Sequence, residues 1–358
     1  MVWDIFCRVI DNHGDIGVCW RLAAQLAMRG ESVSLRVDDA SALAWLAPQG
    51  HPRVEVKPWS AGSHGEAGAP GGVVVEAFGC ELAPSFQAAM ALREPQPAWL
   101  NLEYLTAESF AARNHGLSSP VLVGGAAGLT KYFFYPGFTP ETGGLLREPD
   151  FARLQRDFDA HAWRHATGIH KGPGLTASLF CYEPPVLREL LLQLAQAQWP
   201  TQLVVASGRP AAAARAAIAT LDERDSGWNA GGLLSMHWLP LIPQPEFDHL
   251  LWSCDLNFVR GEDSLVRALL AGKPFIWHIY PQDDNAHHAK LRAFLDWLGA
   301  PQSLRDFHFA WNGMGGALPP IALASWARCA QDARDRLLAQ DDLVTRLIQF
   351  VDSHRRPA

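Results

Sequence analysis

Apolar residues in this chain come in short runs that alternate with stretches of helical spacing. Residues 2–9 form one apolar run and read as a strand. After Asp11-Asn12-His13-Gly14-Asp15-Ile16-Gly17, apolar positions recur at Val18, Leu22, Ala23, Leu26 and Ala27, the period of a helix, which Gly30 ends. Residues 32–37 read as the next strand and 41–47 as a short helix. The opening is therefore β-α-β-α, the pattern of a parallel sheet with helical crossovers. Strands at 53–56, 73–78 and 98–102 and a helix at 84–93 extend it, while the glycine-rich stretch 60–72 has almost nothing to bury and predicts a loop. Residues 115–145 mix glycine, proline and aromatics with little periodicity, so the expectation is long surface loops, which tend to be functional when ordered.

A polar stretch, 146–172, contains Pro149 and Gly172, and the domain junction is expected near 150–172. A second series follows, with strands at 175–181, 202–206, 233–237, 255–259 and 274–277. Helices are expected at 185–197, 210–221, 244–252, 264–271 and 284–299, and the tail 320–353 reads as two helices with no strand between them. Two β/α series in succession predict an α/β protein with two Rossmann-like parallel-sheet domains facing across a cleft. The expected boundaries are 1–160, 173–335 and a terminal helix in 336–358.

Composition agrees with two cores. The chain has 358 residues, 48% of them apolar and 19% charged, against a prior of about 150 residues per domain. Thirty basic and 37 acidic residues give a formal charge of −7, and only five of the basic residues are lysine. A nucleic-acid binder needs a clustered basic face, so that class is excluded, and an acidic chain suits a basic partner. No run reaches the roughly 18 apolar residues of a membrane span. Asp4 and Arg8 interrupt the first apolar run with no basic stretch ahead of it, so no signal peptide is expected. The six cysteines are far apart and form no close pair, which reads as apolar core in a reducing cytoplasm.

Three clusters carry candidate chemistry. The first β-α turn is where a dinucleotide enzyme keeps its glycine fingerprint. Here it holds Asp11, Asn12 and Asp15, and only Gly14 and Gly17 are glycines. Carboxylates would repel a pyrophosphate and suit a cationic or hydroxylic acceptor that must lose a proton; the plainer reading is that Asp15 caps the helix. The second cluster, Asn257 to Ser264, ends a buried strand and opens a helix. Asp263 or Ser264 can cap that helix, its amides and Arg260 can meet a diphosphate, and the plainer reading is a capped helix with a surface Arg–Glu pair. The third is Ser178 to Pro184, where Phe180 and Tyr182 share a face on which a nucleobase can stack, with Gln244 and Phe247 completing a base pocket; aromatics at strand ends are more often core. His161 and His165 have no third ligand at metal-site spacing, and His287-His288 reads as a polar helix start.

Taken together, the motifs resemble the elongation factor P arginine rhamnosyltransferases nearly end to end. The resemblance rests on Asp4 to Arg8, Asp11 to Arg21, Glu76 to Leu82, Asn101 to Leu105, Gly137 to Gly144, Phe180 to Glu183, Arg260 to Ser264 and Pro274 to Gln282. It implies a GT-B glycosyltransferase, with an acceptor site in the N-terminal domain, a nucleotide-sugar site in the C-terminal one, and a final helix that packs back on the first. It also implies transfer of L-rhamnose from dTDP-β-L-rhamnose to an arginine of elongation factor P, with inversion, in rescue of ribosomes stalled at proline runs. No cofactor or metal, nucleic acid or membrane is implied. Matching positions make Asp15 the general base and Asp11 its acidic neighbour, with Glu262 joining them as a catalytic carboxylate. Phe180, Tyr182, Gln244 and Phe247 would hold the thymidine, and Arg260, Glu262, Asp263 and Ser264 the diphosphate and sugar. The runner-up is a GT-B transferase acting on a small-molecule or cell-wall acceptor. A non-catalytic binder of elongation factor P would not need the Arg260 to Ser264 cluster, and the missing dinucleotide fingerprint opposes a dehydrogenase.

Overall fold

A computed structural model describes residues 1–10, 13–59, 68–169, 174–282 and 284–354. The chain divides into two compact units, Met1–Pro149 with Gln340–Ala358, and Asp150–Ala339.

The first unit is built on strands β1 (Val2–Cys7), β2 (Ser32–Val37), β3 (Val54–Pro58), β4 (Val73–Ala77), β5 (Ala98–Leu102), β6 (Ser118–Pro120) and β7 (Thr130–Phe134). Their order is β3-β2-β1-β4-β5-β7-β6, parallel throughout except for antiparallel β6 at the edge. Side chains alternate between two cores, as a period of two requires. Trp3, Ile5 and Cys7 of β1 face one core with Val73, Val75 and Ala77 of β4, while Phe6 and Val74 face the other. Helices α1 (Gly14–Met28), α2 (Leu43–Leu46), α3 (Pro84–Leu92) and α4 (Ser109–Asn114) connect the strands. The chain's last helix lies in this unit too, where its Leu343, Val344, Leu347 and Val351 join the core of Ile16, Leu22 and Leu35. Asp4, which breaks the apolar pattern of β1, is buried because its carboxylate accepts from Arg36 Nε at 3.0 Å and from the Gly71 amide at 2.6 Å.

The 115–145 stretch is not all loop. It supplies β6 and β7, and β7 pairs with β5 from Trp99–Lys131 to Leu102–Phe134. Only Phe134 of β7 is buried, so the strand lacks the apolar run that would have betrayed it.

The second unit holds β8 (Leu175–Leu179), β9 (Thr201–Val205), β10 (Leu234–Trp238), β11 (Leu256–Arg260) and β12 (Phe275–His278), all parallel in the order β10-β9-β8-β11-β12. Its helices are α5 (Phe151–Asp157), α6 (Ala160–Thr167), α7 (Leu187–Ala195), α8 (Arg209–Arg224), α9 (Gln244–Ser253), α10 (Asp263–Ala271), α11 (Ala286–Leu298), α12 (Gln302–Trp311) and α13 (Leu323–Leu338), and α14 (Leu343–His354) is the terminal helix already placed in the first unit. Residues 150–160, expected in the first domain, belong here instead. Phe151 packs edge-on to Trp252, Arg164 donates to the Ser253 carbonyl, and Trp163 donates to Glu246. These contacts make the polar junction two amphipathic helices lying on α9. The terminal boundary likewise falls after α13, at Gln340, and not at residue 336.

Candidate functional site

Ligands of open parallel sheets bind at the carboxyl ends of the strands, and both units concentrate their chemistry there. In the first unit the relevant ends are those of β1, β4 and β5. Asp15 is 3% exposed and lies in the first turn of α1, where the helix dipole favours a carboxylate. It is not the N-cap. His13 takes that position, and Asp15 Oδ2 instead accepts from the Ile10 amide at 2.8 Å. The Tyr104 hydroxyl lies 3.5 Å from Asp15 Oδ1. Tyr104 is stacked on Phe78 with ring centroids 4.5 Å apart. Phe78 follows β4 with φ +59°, a left-handed conformation that an L-residue adopts only when its surroundings impose it. An exposed aromatic face beside a buried carboxylate can receive a planar cation and accept a proton from it. Sequence reasoning gave Phe78 and Tyr104 no role, although both lie in stretches that it singled out. Asp11 lies outside the described residues.

In the second unit, Phe180, Tyr182, Gln244, Phe247, Arg260, Glu262, Asp263 and Ser264 form one connected cluster. Phe180 and Phe247 meet edge to face, centroids 5.2 Å apart. The Arg260 guanidinium sits 4.5 Å from the Phe180 ring centroid and 4.8 Å from that of Tyr182, and its Nη1 donates to the Cys181 carbonyl at 3.2 Å. Gln244 Nε2 reaches Asp263 Oδ2 at 3.5 Å, which ties the start of α9 to the start of α10.

Three expectations change here. Tyr182 is 2% exposed, its ring surrounded by Arg209, Arg260, His278 and Tyr280, so it has no face left for a base and serves as a platform for the arginines. The α10 N-cap is Glu262, not Asp263 or Ser264, and no side chain caps the helix. Ser264 is 5% exposed and its hydroxyl is engaged with the main chain of Arg260, accepting from the amide at 3.0 Å and donating to the carbonyl. It therefore staples the turn. Gly261 occupies that turn at φ +66°, and its carbonyl accepts from Trp277 Nε1 at 2.7 Å. Only glycine takes such a φ without strain.

Sequence reasoning missed two cations. Lys290 of α11 pairs with Glu262 at 2.6 Å, so that carboxylate does not face an incoming anion unneutralised. Arg209, after the strand end of β9, lies 4.9 Å from the centre of the Tyr182 ring. The rule that ligands bind at strand ends would have flagged Arg209, since it follows β9 as Arg260 ends β11; nothing in the spacing of Lys290 signals its partner. His287, expected at a polar helix start, is 6% exposed and its Nδ1 accepts from the Gln282 amide. Burial holds His278, at the end of β12, neutral to a pKa of about 3. Among the described residues, no group of three or more His, Cys, Asp or Glu side chains is arranged to hold a metal ion, and no helix is long and apolar enough to cross a membrane.

Comparison with known proteins bears on this arrangement. Residues 3–352 match the family model of the elongation factor P (EF-P) rhamnosyltransferase EarP. The protein-arginine rhamnosyltransferase of Pseudomonas aeruginosa is 42% identical, over 97% of this chain and 98% of its own. A solved structure describing the basis of EarP-mediated arginine glycosylation of translation elongation factor EF-P is 31% identical, with a TM-score of 0.63 and 99% of each chain covered. MurG of Acinetobacter baumannii, 14% identical with a TM-score of 0.53 over 98% of this chain and 99% of its own, shares the fold alone. The two parallel sheets are thus those of a GT-B glycosyltransferase, and the chain belongs to the EarP family of protein-arginine rhamnosyltransferases.

Proposed function

We propose that this enzyme transfers L-rhamnose from dTDP-β-L-rhamnose to an arginine side chain of translation elongation factor P, with inversion, in the cytoplasm. The observation that carries the reading is Asp15, a buried carboxylate in the first turn of α1 that accepts from the Ile10 amide beside the Tyr104–Phe78 stack, where a dinucleotide enzyme would hold phosphate.

A protonated guanidinium has no lone pair to offer, and its pKa lies above about 12. It becomes a nucleophile only if a base takes a proton as the new bond forms. In the proposed step a guanidinium nitrogen attacks C1 of rhamnose, the C1–oxygen bond to the diphosphate breaks on the opposite face, and the proton passes to Asp15 Oδ1. The Tyr104–Phe78 stack holds the guanidinium plane, and Asp11 takes the role of its acidic neighbour by the family resemblance. On the donor side, thymine lies against Phe180 and Phe247, with Gln244 at the pocket's edge. Arg260 and the first amides of α10 meet the charge that develops on the leaving diphosphate. Glu262 and Asp263 are left for the sugar hydroxyls, with Lys290 holding the Glu262 carboxylate in place. Neutralisation of the leaving group by Arg260 leaves no step that calls for a metal or other cofactor.

The test is incubation of the enzyme with elongation factor P and dTDP-β-L-rhamnose, followed by intact-mass measurement. The gain of one deoxyhexosyl unit is expected. Transfer to a small-molecule or cell-wall acceptor with elongation factor P left unmodified would favour the runner-up.

A further inference from the structure

The turn that opens α8 presents an arginine to the same ring that supports Arg260. Adjacent strands β9, β8 and β11 end in Ala206–Arg209, Phe180–Glu183 and Arg260–Ser264. Gly208, at φ +82°, turns the chain so that Arg209 is the first residue of α8. The two guanidinium groups then flank Tyr182, with their carbons 4.9 Å and 4.8 Å from its centroid.

Arg209 also forms a fork with Glu183, Nε to Oε1 at 2.9 Å and Nη2 to Oε2 at 2.5 Å. The arginine holds the Glu183 carboxyl below its ordinary pKa. Both side chains are well exposed, 41% and 56%, and exposed ion pairs contribute little to stability. A two-toothed fork at the mouth of a candidate anion site therefore has little structural purpose. Carboxylate and phosphate present the same pair of acceptor oxygens to a guanidinium, and the two exchange readily on it.

We infer that Arg209 is a second ligand of the donor's diphosphate, and that Glu183 occupies its fork until a phosphoryl group displaces it. This rests on the donor-site reading above and extends it: one arginine serves each phosphoryl group, and Tyr182 sets the spacing between them. Glu183 is then a competitor for the site, which makes its removal a gain for the ligand. The buried His278 lies against the same ring, 5.3 Å between centroids, and its Nδ1 has no hydrogen-bond partner among the described residues.

Calorimetry with dTDP and with thymidine tests this in the wild type, Arg209→Ala, Arg209→Lys, Glu183→Gln and the double variant Arg209→Ala/Glu183→Gln. Arg209→Ala should weaken dTDP about tenfold or more, in line with loss of a charge-assisted pair, and leave thymidine unchanged. Arg209→Lys should recover part of the loss. Glu183→Gln should tighten dTDP severalfold, and the double variant should match Arg209→Ala. Arg209→Ala within twofold of the wild type overturns the inference and leaves the donor site standing. So does Glu183→Gln weakening dTDP as much as Arg209→Ala, because the pair would then be structural. A correctly folded wild type that binds no dTDP overturns the donor-site reading and this inference with it.

Discussion

Asp248 and Arg267 join the two helices that open on the candidate nucleotide cluster, and separating them should cost more than any surface substitution in the second unit. Arg267 of α10 lies over the Phe151 ring and donates from Nε and Nη2 to the two Asp248 oxygens of α9, at 2.7 Å and 2.6 Å, with side-chain exposures of 1% and 9%. Asp248→Ala leaves a guanidinium charge in the interior without its carboxylate. Breaking one half of a buried pair costs about 3–5 kcal/mol, a large share of the roughly 5–15 kcal/mol that holds a domain folded. The pair also joins the helix that begins with Gln244 and Phe247 to the helix that begins with Asp263 and Ser264. Lost stability and lost nucleotide affinity should therefore come together. Urea denaturation measures the first and dTDP titration the second. Replacing both partners by apolar residues, Asp248→Leu with Arg267→Met, should return most of the stability, since the desolvation cost disappears with the charges. A loss below about 1 kcal/mol in Asp248→Ala, the worth of an exposed pair, would refute the reasoning.

Other outcomes follow from the same geometry. Phe180→Ala and Phe247→Ala should each weaken dTDP by about 1–3 kcal/mol, by analogy with base stacking on aromatics; unchanged affinity with a lowered melting temperature would make both rings core. His308 is fully buried, its Nε2 accepts from the Trp277 amide, and its pKa is pushed down to about 4. His278 is likewise held near 3. Both take up protons more readily when unfolded, so their stabilising share is intact above about pH 6.5 and falls as pH drops toward 4, by about 1.4 kcal/mol per histidine per pH unit. Denaturation midpoints that do not change between pH 7 and pH 5 would contradict this. Transfer should proceed undiminished in a chelator, and a rate restored only by added divalent cation would require a metal in the donor half.

The parallel sheets were legible because their central strands carry short apolar runs, as Val73–Val75 of β4 and Phe275–Trp277 of β12 do. β7 was not, because four of its five residues are half-exposed and it enters the sheet by pairing with β5. Helices α5 and α6 were hidden by polar faces whose few apolar residues, Phe151 and Trp163, find partners more than eighty residues away. In the candidate site, the pattern singled out Phe180 and Arg260, which stand at the ends of β8 and β11, and Asp15 and Phe247, which stand in the opening turns of α1 and α9. It misjudged Tyr182, because period two says that two side chains share a face and not what covers one of them. It missed Lys290 and Tyr104, whose partners Glu262 and Asp15 are brought to them only by the fold.

In the proposed mechanism Asp15 takes the proton from an arginine as rhamnose is transferred to it. The most direct test compares the wild type with Asp15→Asn by time-resolved mass spectrometry of elongation factor P in the presence of dTDP-β-L-rhamnose, with the modified residue located by fragmentation. The wild type should place a single deoxyhexose on an arginine. Asp15→Asn should be slower by about 100- to 10,000-fold, the usual cost of losing a general base, while dTDP binding stays near that of the wild type. Near-normal transfer by Asp15→Asn would rule out Asp15 as the base, and a sugar found on a residue other than arginine would rule out arginine as the acceptor.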